Sequence, residues 1–143
     1  FIVGYPGESE EDFNDTISLI KEVKFINSFS FIYNQRPGTP AAKLKSIDIP
    51  LQKKRLLTIQ NLLENIQSKE NYQEIGKIRQ VLVENKLKNQ SKFFGRTEYF
   101  TPVILSNTNK HDIGKIINVR IESRNNSTLF GIKENLKKKE VAA

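Results

Sequence analysis

Apolar and polar residues follow two different patterns along this chain, one in each half. An apolar run at residues 1–5 opens the first half and predicts the end of a strand. Phe13, Ile17 and Ile20 follow at helical spacing and predict a helix with one buried stripe. The apolar run from Phe29 to Tyr33 predicts another strand, covered on both faces as in a parallel sheet. The first half therefore predicts an α/β unit of strand, helix and strand.

Polar residues at the ends of helices support this interpretation. Ser9 stands three residues before Asp12, which is the spacing of a capping box, and acidic residues gather at that end of the helix. Asp48 precedes Pro50 and is expected to cap a second helix. An apolar stripe continues this helix to about residue 72, and its members are Leu56, Ile59, Leu63 and Ile66.

Three cations occupy the first turns of the second helix, where the helix dipole disfavours positive charge. They are Lys53, Lys54 and Arg55. We expect them on a solvated face, and the alternative is a packing or anionic partner.

From about residue 76 the apolar residues recur at every second position, which is typical of strands. The clearest case is Ile117, Val119 and Ile121, which alternate with polar residues. About five short strands are expected, with Gly95, Gly114 and Gly131 at bends, and such a set favours a small closed barrel of the OB-like kind. The predicted domains are residues 1–75, an α/β domain with its connecting helix, 76–136, the β-barrel, and 137–143, a basic tail.

Positive charge is concentrated in the barrel and tail. The 143-residue chain has a net charge of +7, yet residues 1–50 carry −2 and residues 76–143 carry +8. A surplus of this size attracts polyanions and supplies affinity for nucleic acid that is independent of base sequence. A well-solvated basic surface with no such partner is the alternative.

Cations and aromatic residues interleave in the predicted barrel, a mixture that suits phosphate neutralisation and base stacking. Only one of Phe93 and Phe94 is expected to be exposed, because neighbouring residues of a strand face opposite sides. The candidate RNA-binding residues are Lys92, Phe94, Arg96, Tyr99, Arg120 and Arg124.

Composition excludes several kinds of chemistry. The chain has no cysteine, so it can hold neither a disulfide nor an iron–sulfur cluster on its own thiolates. No apolar run is long enough to span a bilayer, and a cytoplasmic location without membrane partners is expected. We identify no catalytic residue and no metal ligand in the sequence.

A rigid loop follows the second predicted strand: Arg36-Pro37-Gly38-Thr39-Pro40 presents one cation at the strand's carboxyl end. This segment resembles the last-strand motif of the MiaB-type tRNA methylthiotransferases, which are radical S-adenosylmethionine enzymes. The opening Phe1-Ile2-Val3-Gly4-Tyr5-Pro6-Gly7-Glu8 resembles the strand end that precedes it, with Tyr5 at a usual Phe. Gly95-Arg96-Thr97-Glu98 and the segment from Ile113 to Gly131 resemble the family's C-terminal RNA-binding module, the TRAM domain.

The resemblance implies the last part of a partial (β/α) radical barrel, followed by the TRAM barrel. It implies S-adenosylmethionine and two 4Fe-4S clusters in the whole enzyme, with neither bound by this cysteine-free chain alone. The chain also starts inside an expected strand without Met, so we expect the C-terminal part of a longer enzyme. Asn34 stands where the family usually has Ser. The implied cofactor-binding residues are Gly4, Gly7, Glu8, Tyr33 and Arg36.

The implied reaction adds a methylthio group to C2 of isopentenyladenosine beside the tRNA anticodon, in a monomeric enzyme. This chain would supply tRNA binding and part of the S-adenosylmethionine pocket, and it would be inactive alone. Two alternatives remain open: a stand-alone, non-catalytic RNA-binding protein, or a sister methylthiotransferase that acts on another substrate.

Overall fold

A computed structural model describes residues 1–88 and 90–134. They form two compact units whose boundary falls inside a long helix: Phe1–Gln67 is the first, and the second begins at Ser68. The helices and strands are β1 (Ile2–Val3), α1 (Glu10–Val23), β2 (Phe31–Ile32), α2 (Ile49–Gln73), β3 (Ile78–Lys86), β4 (Phe93–Thr97), β5 (Pro102–Ser106), β6 (Ile116–Arg124) and β7 (Leu129–Lys133). The short 3₁₀ helices Pro40–Lys43 and Lys110–Asp112 lie between β2 and α2 and between β5 and β6.

The first unit contains the predicted strand–helix–strand motif. β1 and β2 pair in parallel, with Ile2 opposite Phe31, and α1 connects them. Backbone hydrogen bonds hold the pair: Phe31 N donates to Phe1 O at 3.0 Å, and Tyr33 N donates to Val3 O at 2.8 Å.

β2 is shorter and less covered than predicted. Only Phe31 and Ile32 are assigned to the strand, and 80% of Phe29 and 61% of Phe31 are exposed. Burial on both faces requires a layer on each side of the sheet. Within the described residues β1 and β2 form a sheet of two strands, and the first unit leaves one of its faces open. The expected coverage of both faces is therefore wrong for these residues.

The start of α1 confirms the predicted capping box. Ser9 Oγ accepts from Asp12 N at 3.0 Å, while Ser9 N donates to Asp12 Oδ2 at 2.8 Å. The backbone and side-chain hydrogen bonds from Ser9 lower the pKa of Asp12. α1 ends at Val23 and is capped by Lys24, whose φ of 56° is left-handed and whose N–H donates to Ile20 O.

The core of the first unit forms where α1 and α2 meet β1. α2 begins at Ile49, directly after Asp48 and with Pro50 in its first turn. The predicted stripe of α2 is confirmed, because Leu56 and Ile66 pack against the cluster that contains Ile59 and Leu63. The buried members of this cluster are Val3, Phe13, Ile20, Ile59 and Leu63.

Arg55 corrects the expectation of a solvated cationic face on α2. Lys53 and Lys54 are exposed as predicted, but only 3% of Arg55 is exposed. Its guanidinium bonds Glu8 Oε2 at 2.7 Å and Glu10 Oε2 at 3.0 Å. The sequence could not show this because the carboxylates lie more than forty residues earlier in the chain.

The same guanidinium also ties down the backbone before α1. It donates to Glu8 O at 3.0 Å and to Ser9 O at 3.1 Å, and it lies 5.1 Å from the Phe13 ring centroid. Burial lowers the pKa of Arg55, but the hydrogen bonds that it donates to Glu10 and Glu8 more than offset this, so the pKa is raised and Arg55 stays charged.

The second unit is a closed five-stranded barrel with the strand order β3-β4-β5-β7-β6. The β5–β7 pair is parallel and the other four pairs are antiparallel. The predicted barrel is therefore confirmed. Inward-facing residues of all five strands form one core: Val81, Val83, Phe93, Val103, Leu105, Val119, Ile121 and Leu129.

Two of the three glycines expected at bends lie inside strands instead. A Cβ on Gly95 would overlap the Leu82 carbonyl oxygen, and one on Gly131 would lie 2.7 Å from Arg120 O. Register shifts occur on the partner strands next to both glycines. Close approach of strands, rather than a bend, therefore requires glycine there. Gly114, with φ of 80°, does lie in a turn.

The predicted tail at residues 137–143 lies outside the described residues, and the predicted domain boundary at residue 75 stays a prediction. In the part of the chain that the structure describes, no helix is both long enough and apolar enough to cross a membrane.

Candidate nucleic-acid interface

One rim of the barrel is rich in lysine. The β3–β4 hairpin and the loop from β5 to β6 share this rim, because β3 and β5 end there while β4 and β6 begin there. Leu87 N donates to Lys92 O at 3.0 Å and closes the hairpin. The exposed lysines of the two segments, which we call the basic rim, are Lys86, Lys88, Lys92, Lys110 and Lys115.

The lysines of the basic rim form no ion pair within the described part of the barrel. Among residues 76–88 and 90–134, none of its five lysines has a carboxylate within 4.0 Å. Asp112, in the same rim, bonds Lys133 Nζ at 2.7 Å instead. Unpaired, exposed ammonium groups are available to phosphates, and their effect adds when they lie together.

Phe94 and Arg96 lie beside one another on the outside of β4. Phe93 is buried and Phe94 is half-buried, which confirms that the pair faces opposite sides. The Arg96 guanidinium lies 5.3 Å from the Phe94 ring centroid and bonds Glu84 Oε1 at 2.8 Å. This ion pair reduces the charge that Arg96 presents.

Arg120 is also paired. It projects from β6 to the solvent side as predicted, and its guanidinium donates to Glu134 Oε2 at 2.9 Å and to Oε1 at 2.6 Å. The hydrogen bond to Glu134 raises the pKa of Arg120, and the same contact lowers the pKa of Glu134. An RNA phosphate would have to compete with this carboxylate.

Tyr99 and Arg124 lie at the opposite rim of the barrel. Tyr99 is exposed in the turn between β4 and β5. Arg124, at the end of β6, donates to Ser68 Oγ at 2.6 Å, and its guanidinium lies 5.7 Å from the Tyr72 ring centroid. The six predicted RNA-binding residues therefore do not form one patch: Lys92 lies at the basic rim, and these two lie at the other end.

Sequence reasoning missed four of the five lysines of the basic rim. The sequence did contain a signal for Lys86, Lys88 and Lys92. Together with Arg96 they lie in residues 85–97, a segment without any acidic residue. Lys110 and Lys115 flank Asp112, and only the fold shows that Lys133 occupies that carboxylate.

In the first unit, Gly4 and Glu8 already have partners. Gly4 N donates to Glu8 Oε2 at 2.8 Å, and Gln52 Nε2 donates to Gly4 O at 3.1 Å. Gly4 has φ of 74°, and a Cβ there would lie 2.6 Å from Gln52 Cγ. The side chain of Glu8 is held by Arg55 as well. These residues shape the loop after β1 whether or not they touch a ligand.

Tyr33 and Arg36 line an open pocket of about 580 Å³ at the carboxyl end of β2. The Tyr33 ring contacts Tyr5 edge to face, with centroids 5.0 Å apart. Gly7, with φ of 90°, faces open space. The pocket is largely apolar with one cation at its edge, and its lining residues are Ile2, Phe31, Ile32, Tyr33, Asn34, Arg36, Thr39 and Ala41.

No metal site was found among residues 1–88 and 90–134, where His, Asp and Glu nowhere gather in threes at ligand spacing. Because the whole sequence also lacks cysteine, thiolate ligands for an iron–sulfur cluster would have to come from another polypeptide segment.

Comparison with known proteins first defines the class of the barrel. The TRAM domain family model matches residues 73–133. This range contains all five barrel strands. Residues 73–133 are therefore a TRAM domain.

The chain as a whole is similar to bacterial enzymes named tRNA-2-methylthio-N(6)-dimethylallyladenosine synthase. The protein of Pelagibacter ubique (strain HTCC1062) is 51% identical over 142 residues, which is 99% of this chain and 32% of the relative. The Vesicomyosocius okutanii protein is 46% identical over 92% of the chain and 30% of the relative. The Orientia tsutsugamushi (strain Boryong) protein is 43% identical over 91% of the chain and 29% of the relative.

The chain thus spans about a third of the length of these curated relatives. The predicted resemblance to the MiaB-type methylthiotransferases with a TRAM domain is confirmed.

Proposed function

We propose that this chain is the tRNA-binding part of a methylthiotransferase that modifies C2 of isopentenyladenosine beside the tRNA anticodon. The observation that carries the proposal is the 51% identity over 142 residues to a synthase of that name. The basic rim of the TRAM barrel supports it, because its exposed lysines form no ion pair within the described barrel and are available to a polyanion. The whole enzyme would act in the cytoplasm as a monomer.

We assign the first unit to the S-adenosylmethionine side of the enzyme, as the end of a partial (β/α) barrel. Ligands of such folds bind at the carboxyl ends of parallel strands, and the open pocket lies there. Arg36 would pair with the methionyl carboxylate or with a tRNA phosphate. Tyr33 and Gly7 would supply an aromatic wall and close backbone approach. The pocket's apolar lining and single cation fit an amphiphilic ligand of this kind.

The iron–sulfur clusters do not fit this chain, because it has no cysteine. Radical generation would therefore depend on other parts of the enzyme, and no step of it is assigned to these residues. We propose that the residues of this chain bind and orient tRNA and line one side of the cofactor site.

Binding of tRNA by the chain itself tests the first part of the proposal. Fluorescently labelled tRNA should be bound, and the logarithm of the affinity should fall linearly with the logarithm of salt concentration. A chain that does not bind tRNA at low salt would contradict the proposal.

A chimaeric enzyme tests the catalytic assignment. This chain would replace the matching third of the Pelagibacter ubique relative, in a strain that lacks the native enzyme. We expect 2-methylthio-isopentenyladenosine in digested tRNA by mass spectrometry, and much less of it with Arg36→Ala. The iron absorbance of the purified chimaeras is the control for folding. An intact, cluster-loaded chimaera without product would favour the stand-alone RNA-binding alternative.

A further inference from the structure

A row of apolar side chains crosses the outside of the TRAM barrel. Phe94 of β4 lies opposite Ile104 of β5, and Ile104 lies opposite Phe130 of β7. The neighbours of these residues along the strands, such as Phe93, Leu105 and Leu129, belong to the core. Because successive side chains of a strand alternate in direction, all three members of the row point outward. They are half-buried, and we call them the outer row.

Apolar residues at these positions need an explanation. The outer face of an isolated barrel meets water, and cross-strand partners there are usually polar. At the two ends of the outer row the next cross-strand partner is polar, as usual: Asn85 pairs with Phe94, and Ser123 pairs with Phe130. Phe94 and Phe130 are two strands apart, about 10 Å. That separation leaves room for two separate flat groups.

The outer row begins next to the basic rim. Lys92 lies two residues before Phe94, and Lys86 is the register partner of Phe93. Lys88 belongs to the same hairpin. Glu84 is the carboxylate nearest to Phe94 in register, and Arg96 pairs with it. A ligand on the outer row would therefore meet the hairpin lysines at the Phe94 end of the row. The Arg96–Glu84 pair beside Phe94 would add little net charge.

We propose that the outer row and the hairpin lysines bind a single-stranded segment of RNA. The phosphates would contact Lys86, Lys88 and Lys92, and two bases would stack on Phe94 and Phe130 with Ile104 between them. Single-stranded RNA fits because its bases expose their faces, whereas a duplex buries them. A protein partner would be a weaker match to three unpaired lysines beside aromatic rings. The inference rests on the proposed RNA-binding function and says where on the barrel that binding occurs.

Leucine substitutions test the stacking. Phe94→Leu and Phe130→Leu keep an apolar side chain but remove the ring, and each should weaken binding of a labelled oligouridylate about tenfold. The salt dependence should stay the same, because no phosphate contact is lost. Phe100→Leu is the matched control, since Phe100 is 72% exposed but lies at the opposite rim. Its affinity should be unchanged.

Charge removal tests the lysines. Replacing Lys86, Lys88 and Lys92 together by Gln should reduce the slope of log affinity against log salt by about 2, as expected for three contacts to a single strand. The matched control is Gln at Lys45, Lys53 and Lys54, which are exposed residues of the first unit. An equal change in the control would mean that only net charge matters, and it would overturn the site.

The outcomes separate this inference from the proposed function. If wild-type chain binds tRNA while both Phe variants bind oligouridylate normally, the outer row is refuted and the tRNA-binding function stands. If wild-type chain binds no RNA, the function itself fails. Should a Phe variant not fold, crosslinking of wild-type chain to 4-thiouridine RNA decides. Crosslinks in β4 and β7 are expected, and crosslinks confined to residues 98–101 would contradict the proposal.

Discussion

The two units differ in how their sheets end. In the barrel every strand has two neighbours, and one core of eight buried side chains fills the interior. Among the described residues, the sheet of the first unit has two strands and two open edges, and Phe29, Phe31 and Ile2 are largely exposed. Closure makes the barrel self-contained, whereas the open sheet depends on α1, α2 and one buried ion pair for its stability.

Hydrogen exchange should show the largest difference between the units. Amides of β3 and β6 should exchange only through global unfolding, with an opening free energy of about 5 kcal/mol or more. The amides of Phe31 and Tyr33, at the open sheet, should exchange through local opening at near zero to about 2 kcal/mol. Two-dimensional NMR in deuterated buffer measures both. The Ile20 amide in α1 separates fraying of β2 from loss of the whole first unit.

Equal protection of Tyr33 and Val119 would contradict this comparison. It would mean that the first unit is stabilised as well as a closed barrel despite its uncovered face.

Loss of Arg55 should affect only the first unit. Arg55→Met leaves the largely buried carboxylate of Glu8 and two backbone carbonyls without their donor, and we expect a loss of about 3–5 kcal/mol. The measurement is urea unfolding followed by amide signals of Val3 and Val119. Lys54→Met, on the exposed neighbour, is the control and should change neither signal. Parallel destabilisation of both units would show that they unfold as one.

Gly131 should matter only to the barrel. A valine there would press its methyl groups on Val119 and on Arg120 O across the β6–β7 pair, and such overpacking costs about 1–3 kcal/mol. The measurement is the urea midpoint of the β6 amides, with α1 amides expected to stay unchanged. Gly114→Asn is the control, because that site has open space and a left-handed φ that Asn tolerates. A harmless valine would show that the strands can separate there.

Periodicity predicted most of the architecture. The capping box of α1, the stripe of α2 and the alternation in β6 are local patterns, and the structure contains all three. The partners of Arg55 lie far away in the chain, and no described residue covers the exposed face of β2. Local patterns could therefore predict neither feature. The roles of Gly95 and Gly131 were not predictable for the same reason, because a close approach between strands is visible only after the strands are paired.

The candidate site was less predictable than the fold. Residue type indicated cations and aromatic rings, but an exposed cation binds phosphate well only if it lacks a carboxylate partner. Arg96 and Arg120 have such partners across strands or after β7, and among the described residues Lys86 and Lys88 have none. Pairing of this kind depends on strand register, which sequence alone does not give. The cofactor-side residues Gly4, Gly7, Glu8, Tyr33 and Arg36 stay predictions.

Protonation of one barrel carboxylate, Asp112, should produce the smallest effect. Asp112 Oδ1 accepts from Lys133 Nζ at 2.7 Å, and Oδ2 accepts from Asn109 N at 3.1 Å. The hydrogen bond from Lys133, and then that from the Asn109 backbone, lower the pKa of Asp112 below its ordinary value of 3.8. A carboxyl whose pKa is lower in the folded state stabilises the fold above its ordinary pKa, and this stabilisation is lost as pH falls through the lowered value.

Asp112→Asn should therefore cost about 1 kcal/mol at neutral pH, and the difference from wild type should shrink below about pH 4. Urea unfolding of the barrel at several pH values measures it, and the difference between the two proteins removes the contribution of other carboxyls. Glu122→Gln, an exposed change on β6, should show little effect at any pH. A cost of Asp112→Asn that persists undiminished in strong acid would mean that the ionised carboxylate does not stabilise the β5–β6 loop.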